Sequence, residues 1–216
     1  MERCVILSAS PEYNIDEIKT HLRPDDVFVV ADGGWHFVTA LGVTPLAFIA
    51  DFDSSREADF DHSVPLVRFS SIKDCTDTEA AVNYAWEKGY RDFLMVGCCG
   101  GRLDHTYANF MTMSQIVTKG GSVCSLGAHE KIIMLSPGVH HIPVERERHL
   151  SILPFGGPVS GITLKNTFYP LENAEMTMEN PLGISNEFLM ESEQSDTDYA
   201  IISFKSGLLL IFLSKD

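Results

Sequence analysis

Apolar residues fall in two patterns along this chain, and each occupies its own half. In the first half, short continuous apolar runs alternate with stretches of helical spacing. The runs at Arg3–Ala9, Val27–Ala31, Leu46–Ala50, Leu66–Phe69, Phe93–Val96, Ser122–Leu126 and Lys131–Leu135 predict buried strands. Helices are predicted between them. One covers Asp16–His21 and ends before Pro24; another covers Trp35–Leu41 and stops at Gly42. A third covers Asp77–Lys88, with Thr76 and Glu79 placed as a capping box and Gly89 as its stop. A fourth carries Ala108, Met111 and Gln115 at helical spacing. After Ser136-Pro137-Gly138 the helical pattern is lost. The runs His149–Leu153, Gly161–Lys165, Met176–Met178, Glu187–Glu191, Tyr199–Phe204 and Leu208–Leu213 predict short strands, with Lys205-Ser206-Gly207 as a tight turn. The expected architecture is an α/β N-terminal domain with a mostly parallel sheet over 1–137. A smaller all-β C-terminal domain, an antiparallel sandwich or roll, follows over 138–216.

Parallel strands share one carboxyl edge, and this chain places its polar chemistry there. Asp32 follows the second strand, Asp51 and Asp53 the third, Asp74 and Asp77 the fourth, and Asp104 the fifth. The richest stretch is FLMVGCCGGRLDHTYAN, Phe93 to Asn109: strand, glycine turn, charged cluster, helix. Arg102 offers a planar fork for phosphate oxygens, and Asp104 a carboxylate for a metal or a hydroxyl. Clustered carboxylates suit Mg²⁺, a hard cation that also neutralises a polyphosphate. Several residues keep two readings. Asp77 serves a helix dipole or the chemistry, Asp32 a turn or the site, and Lys73 solvent or a phosphate. His105 is a helix-start group or a ligand contact. Glu79 reads as a cap, Cys98-Cys99 as packing, Trp35 and Trp86 as core or interface, and His140-His141 as linker surface.

Composition narrows the function class. The 216 residues are 44% apolar and 21% charged, with a formal net charge of −14. That balance argues against nucleic acid and anionic membrane surfaces as partners. The five cysteines are odd in number and form no CxxC pair, and no leader pattern precedes the first strand. The expectation is a cytoplasmic protein with reduced thiols. No apolar run approaches the ~20 residues of a membrane span.

Six stretches together resemble the thiamine pyrophosphokinase (thiamine diphosphokinase) family: ADGG at 31–34, DFDS at 51–54, KDCTDTEAA at 73–81, GCCGGRLDHTYAN at 97–109, VSGITLKNTFYPL at 159–171 and GISNE at 183–187. The resemblance runs nearly end to end. It implies an ATP-binding first domain and a β-rich second domain for thiamine binding and dimerisation. It also implies a homodimer with active sites at the subunit interface. The implied reaction is Mg²⁺-dependent transfer of a pyrophosphoryl group from ATP to the thiamine hydroxyl, releasing AMP. Carried onto this sequence, Asp51, Asp53, Asp77 and Asp104 become the metal and catalytic acids, and Arg102 a phosphate clamp. Asp32, Lys73, Thr76, Gly100, Gly101 and His105 join Arg102 around ATP. Asp77, Ser185, Asn186 and Phe188 face thiamine, with Asp77 the first choice to orient or deprotonate the hydroxyl. Ala50 stands where the family usually has glycine, and the second domain has no Trp. Its aromatic platform must therefore be Phe188, Tyr169 or Phe168.

Two other classes fit part of the sequence. A Mg²⁺-dependent phosphatase would form an aspartyl phosphate on Asp51, but leaves Gly100-Gly101-Arg102 unexplained. A non-catalytic thiamine or nucleotide sensor would need fewer acids.

Overall fold

The structure, a computed structural model, describes residues 2–31, 33–50, 65–68, 75–189 and 198–215. The chain divides into two compact units, Met1–Ala128 and His129–Asp216.

The first unit contains strands β1 (Arg3–Leu7), β2 (Val27–Ala31), β3 (Ala47–Ala50), β4 (Leu66–Arg68), β5 (Asp92–Val96) and β6 (Ser122–Leu126). Its helices are α1 (Ile15–His21), α2 (Trp35–Leu41), α3 (Asp77–Glu87) and α4 (Leu103–Thr118). All the strand pairs of this unit are parallel, in the order β4-β3-β2-β1-β5-β6. β1 is buried along its whole length, as a central strand covered on both faces must be. Alternate residues serve the two faces. Val5, Leu7, Val30 and Leu94 cluster with Ile18 of α1 and with Phe37 and Val38 of α2. Phe93, of opposite parity, stacks on Trp86 of α3 with ring centroids 6.2 Å apart. Trp86 thereby has a packing role.

Strand order decides where a ligand can bind. From β1 the chain winds outward through β2, β3 and β4, then crosses back through α3 to β5 on the other side of β1. Neighbouring crossovers leave β1 and β5 in opposite directions, which opens a crevice at their carboxyl ends.

The second unit contains β7 (Glu130–Leu135), β8 (Gly138–Pro143), β9 (His149–Lys165), β10 (Leu171–Met176), β11 (Gly183–Asn186), β12 (Tyr199–Phe204) and β13 (Ser206–Ser214). Every pair among them is antiparallel. β9 organises the unit. Its first half pairs with β13 and β11, and its second half with β12 and β10. The core gathers Leu150, Ile152, Ile162, Leu164, Phe188, Ile202, Leu209 and Ile211.

The second half departs from the sequence reading in four places. His149–Leu153 and Gly161–Lys165 are one strand: the glycines between them change β9's partners without ending it. His140 and His141 lie on β8, in register with Ile202 and Ile201 of β12. β8 buries only Ile142, so it carries no apolar alternation to betray a strand. Met176 closes β10, and Met178 lies beyond it. Of the strand expected at Glu187–Glu191, residues 190 and 191 lie outside the described residues; in the described part, β11 precedes it and Phe188 forms a single bridge to Thr167. The division after Ala128 precedes the expected Pro137 turn, because β7 pairs in full register with β13.

Candidate active site

A cavity of about 570 Å³ opens at the carboxyl ends of the parallel strands. Ser8, Ala9, Ser10 and Pro11 line it from the loop after β1, and Gly33 from the turn after β2. Cys75, Thr76, Asp77 and Thr78 line it from the start of α3. Gly97, Cys98, Gly100, Gly101 and Arg102 line it from the turn after β5, and His105 and Asn109 from α4.

Local sequence explains the walls. Thr76 is the N-cap of α3, its hydroxyl accepting from Glu79 N at 3.2 Å. The cap fixes the first turn, so Asp77 sits where the amide dipoles favour a carboxylate and where an anion meets unpaired N–H groups. Glu79 Oε1 accepts from Gln115 Nε2 at 3.1 Å, tying α3 to α4. A buried hydroxyl pair, Ser8 Oγ and Thr78 Oγ1 at 2.8 Å, joins the end of β1 to α3. In the turn after β5, Gly100 adopts φ +91°, and a Cβ there would lie 3.0 Å from Ser10 Oγ. Only glycine lets the two loops approach that closely.

At the start of α4, Arg102 and Asp104 form a two-pronged ion pair. Nε donates to Oδ1 at 3.1 Å and an outer guanidinium nitrogen to Oδ2 at 2.5 Å. Both side chains are exposed, at 73% and 65%. The Arg102 hydrogen bond, aided by its charge, holds the Asp104 carboxyl below its ordinary pKa, and Asp104 raises that of Arg102. A bidentate pair in solvent is the state in which a guanidinium fork is easily shared with phosphate oxygens.

Of the residues expected around ATP, Thr76, Gly100, Gly101, Arg102 and His105 line this cavity together with Asp77. Asp104 stands beside it through Arg102. Asp32, Asp51, Asp53 and Lys73 lie outside the described residues. Among the described residues no group of three or more His, Cys, Asp or Glu is arranged to hold a metal ion. The loop Ser8–Pro11 and the buried Asn109 and Thr78 escaped the sequence reading. The signal for the loop was the run of small residues ending β1, the strand at the centre of the sheet.

In the second unit the expected thiamine contacts divide. Ser185 is exposed, with φ +54°, and its N–H donates to Ser151 Oγ at 2.9 Å. Asn186 is buried, and its amide is engaged with backbone. Oδ1 accepts from Tyr169 N and Glu187 N, both at 2.9 Å, and Nδ2 donates to Tyr169 O at 2.8 Å. Asn186 therefore shapes the segment that carries Tyr169. Phe188 is 6% exposed and belongs to the core, which corrects the expectation that it offers a ring face to a ligand. Phe168 and Tyr169 are exposed aromatics of this unit, at 51% and 61%.

Comparison with known proteins bears directly on this arrangement. Residues 18–125 match the model of the thiamin pyrophosphokinase catalytic domain, and residues 139–209 that of the thiamin pyrophosphokinase vitamin B1 binding domain. The chain belongs to the thiamine pyrophosphokinase family. Membership makes it an enzyme, a transferase acting on thiamine. It is 26% identical over 221 residues to the thiamine pyrophosphokinase of Bacillus subtilis strain 168, covering all of both chains. Among solved structures it resembles a Bacillus subtilis thiamine pyrophosphokinase, with TM-score 0.87, 24% identity and full coverage of both. The Geobacillus thermodenitrificans protein gives 0.84 at 23% identity, covering 100% of this chain and 98% of that one. The Candida albicans protein gives 0.76 at 15% identity, with coverage of 99% and 90%. At these identities the solved structures establish the shared fold.

Proposed function

We propose that this thiamine pyrophosphokinase uses ATP and Mg²⁺, moving a pyrophosphoryl group to the thiamine hydroxyl and releasing AMP. The observation that carries the reading is the switch-point cavity, where a capped helix start, a glycine turn and Arg102 converge. Each is a phosphate-binding device, and together they suit a polyphosphate. In the reaction the thiamine oxygen forms a bond to the β-phosphorus, and the bond from that phosphorus to the α–β bridging oxygen breaks. The hydroxyl proton passes to a base, for which Asp77 on the cavity wall is the first choice. Arg102 exchanges its contact with Asp104 for phosphate oxygens and steadies the charge that develops. Thr76, Gly100, Gly101 and His105 line the polyphosphate path, and Asp32 and Lys73 are assigned to it from the sequence motifs.

The donor chemistry fits a hard cation. Asp77 presents carboxylate oxygens beside the helix start, and Asp51, Asp53 and Asp104 are assigned to the same ion. When bound, Mg²⁺ would screen the phosphate charge that a chain of net charge −14 repels. The domain roles follow: an α/β ATP-binding catalytic unit, then an antiparallel sandwich or roll that binds thiamine and dimerises. Tyr169 and Phe168 offer ring faces to thiamine, Ser185 is a polar contact, and Asn186 acts through Tyr169. The working form is a homodimer with active sites at the subunit interface. Exposed apolar side chains support this, including Met178, Leu182 and Ile184 in one unit and Leu103, Tyr107 and Met111 on α4. All five cysteines are unbridged, which fits a cytoplasmic setting.

Incubation with ATP, Mg²⁺ and thiamine tests the proposal. Equal amounts of AMP and thiamine diphosphate are expected. Free phosphate from a monoester would favour the phosphatase, and tight binding with no AMP would favour the sensor.

A further inference from the structure

The turn after β5 combines two properties that conflict. It carries glycines in left-handed conformations, Gly97 at φ +70° and Gly100 at φ +91°, which have little intrinsic stiffness. Yet a turn that grips a polyphosphate in the transition state must be held in place before the substrate arrives. The stiffness must come from outside the turn.

Two side chains from different elements supply it. Asn109 of α4 is 7% exposed, and its Nδ2 donates to Cys98 O at 2.7 Å. Ser10, in the loop after β1, is 4% exposed, and its Oγ donates to Cys99 O at 2.5 Å. That hydroxyl is itself anchored, because it accepts from Glu12 N at 3.2 Å. Two successive carbonyls of the turn are thus pinned, one from each side. A peptide unit is planar, so fixing its carbonyl fixes the following N–H as well. Pinning Cys98 O and Cys99 O therefore sets the N–H directions of Cys99 and Gly100. Both anchors stand in the cavity wall, where their strength is transmitted directly to the turn.

We propose that Ser10 and Asn109 are positioning residues that clamp the glycine turn for ATP, acting through the Cys98 and Cys99 carbonyls. The inference rests on reading the cavity as the polyphosphate site. A residue that merely supported the fold would affect both substrates alike. The clamp acts on one of them.

The test is steady-state kinetics of Ser10→Ala and Asn109→Ala, with thermal melting and wild-type hydrogen exchange alongside. Each substitution removes the hydrogen bond to one carbonyl of the turn, so kcat/KM for ATP falls about tenfold while KM for thiamine stays within about twofold. Ser10→Thr keeps the hydroxyl and restores most of the ATP effect. Combining the two alanines gives less than the product of the single losses, because one turn is being held. Unchanged ATP kinetics overturns the proposal. So does an equal loss for both substrates that tracks a lowered melting temperature. Should a variant not fold, exchange on the wild-type protein still decides: slow exchange of the buried Asn109 side-chain amide that donates to Cys98 O is required, and exchange at free-amide rates refutes the clamp. Failure of the wild type to form AMP would instead refute the polyphosphate reading, and the exchange result would stand apart from it.

Discussion

Gly97 is the residue on which strand, turn and cavity meet, and replacing it by alanine tests the geometry most sharply. Its φ of +70° is a conformation that L side chains rarely adopt. A Cβ at this position would lie 2.5 Å from Ser8 O and 2.8 Å from Phe37 Cε2. An ordinary carbon–oxygen contact is about 3.3–3.6 Å, so both neighbours would have to move. Neither moves freely. Ser8 N donates to Val96 O at 2.9 Å, locking the end of β1 to β5, and Phe37 is fully buried. Left-handed strain costs about 1–2 kcal/mol and overpacking about 1–3, and the stiffer unfolded chain returns about 0.4–1. The net destabilisation is about 1–5 kcal/mol. Gly120→Ala is the matched control. Gly120 has φ +86° with nothing within 4 Å of a Cβ, so strain alone remains, at about 1 kcal/mol. Trp35 and Trp86 are the chain's two tryptophans, and both lie in the first unit. Tryptophan fluorescence during urea unfolding therefore reports that unit alone. Equal midpoints for the two variants would show that Gly97 does not lie against Ser8 and Phe37.

Other outcomes follow from the same geometry. Arg102→Ala leaves the urea midpoint unchanged, since its partner is exposed, while kcat/KM for ATP falls at least a hundredfold on loss of a charged clamp. The same change raises the Asp104 pKa toward the ordinary carboxylate value. Asp104 is held low, so its pair with Arg102 persists as pH falls until that lowered pKa is crossed, and a carboxyl-carbon NMR titration of both proteins shows the shift. Burial pushes the Cys4 thiol up to about 12 and Cys98 well above its ordinary value, so both resist iodoacetamide at pH 8 until urea unfolds the chain. Alkylation of either in the native protein would contradict their burial. Asn186→Ala strands the Tyr169 backbone, costs about 1–3 kcal/mol, and raises KM for thiamine but not for ATP; an effect confined to ATP would remove Asn186 from that role.

The first unit was legible because buried parallel strands and capped helices leave strong local marks. Thr76 capping α3 and Gly42 closing α2 could be read directly. The second unit was harder, for two reasons. Among the described residues β8 is paired only through β12 and buries a single apolar side chain, so His140 and His141 hid a strand. β9 passes through Gly156-Gly157-Pro158, which elsewhere would end a strand. In the site, motif residues such as Thr76 and Arg102 announced themselves by charge and spacing. Ser10 and Asn109 did not, because their contacts join residues 89 and 11 positions apart in sequence. Phe188 misled because an aromatic in a matching motif looks the same whether it faces a ligand or a core.

On the proposed reading, the crevice between the ends of β1 and β5 receives the polyphosphate. A crystal structure with Mg²⁺ and α,β-methylene-ATP, whose α–β bridge cannot be cleaved, tests it most directly. Phosphates are expected in the cavity walled by Ser10, Thr76, Gly100 and Arg102, with Arg102 turned from Asp104 to phosphate oxygen. Nucleotide bound elsewhere, with that cavity filled only by solvent, would contradict it.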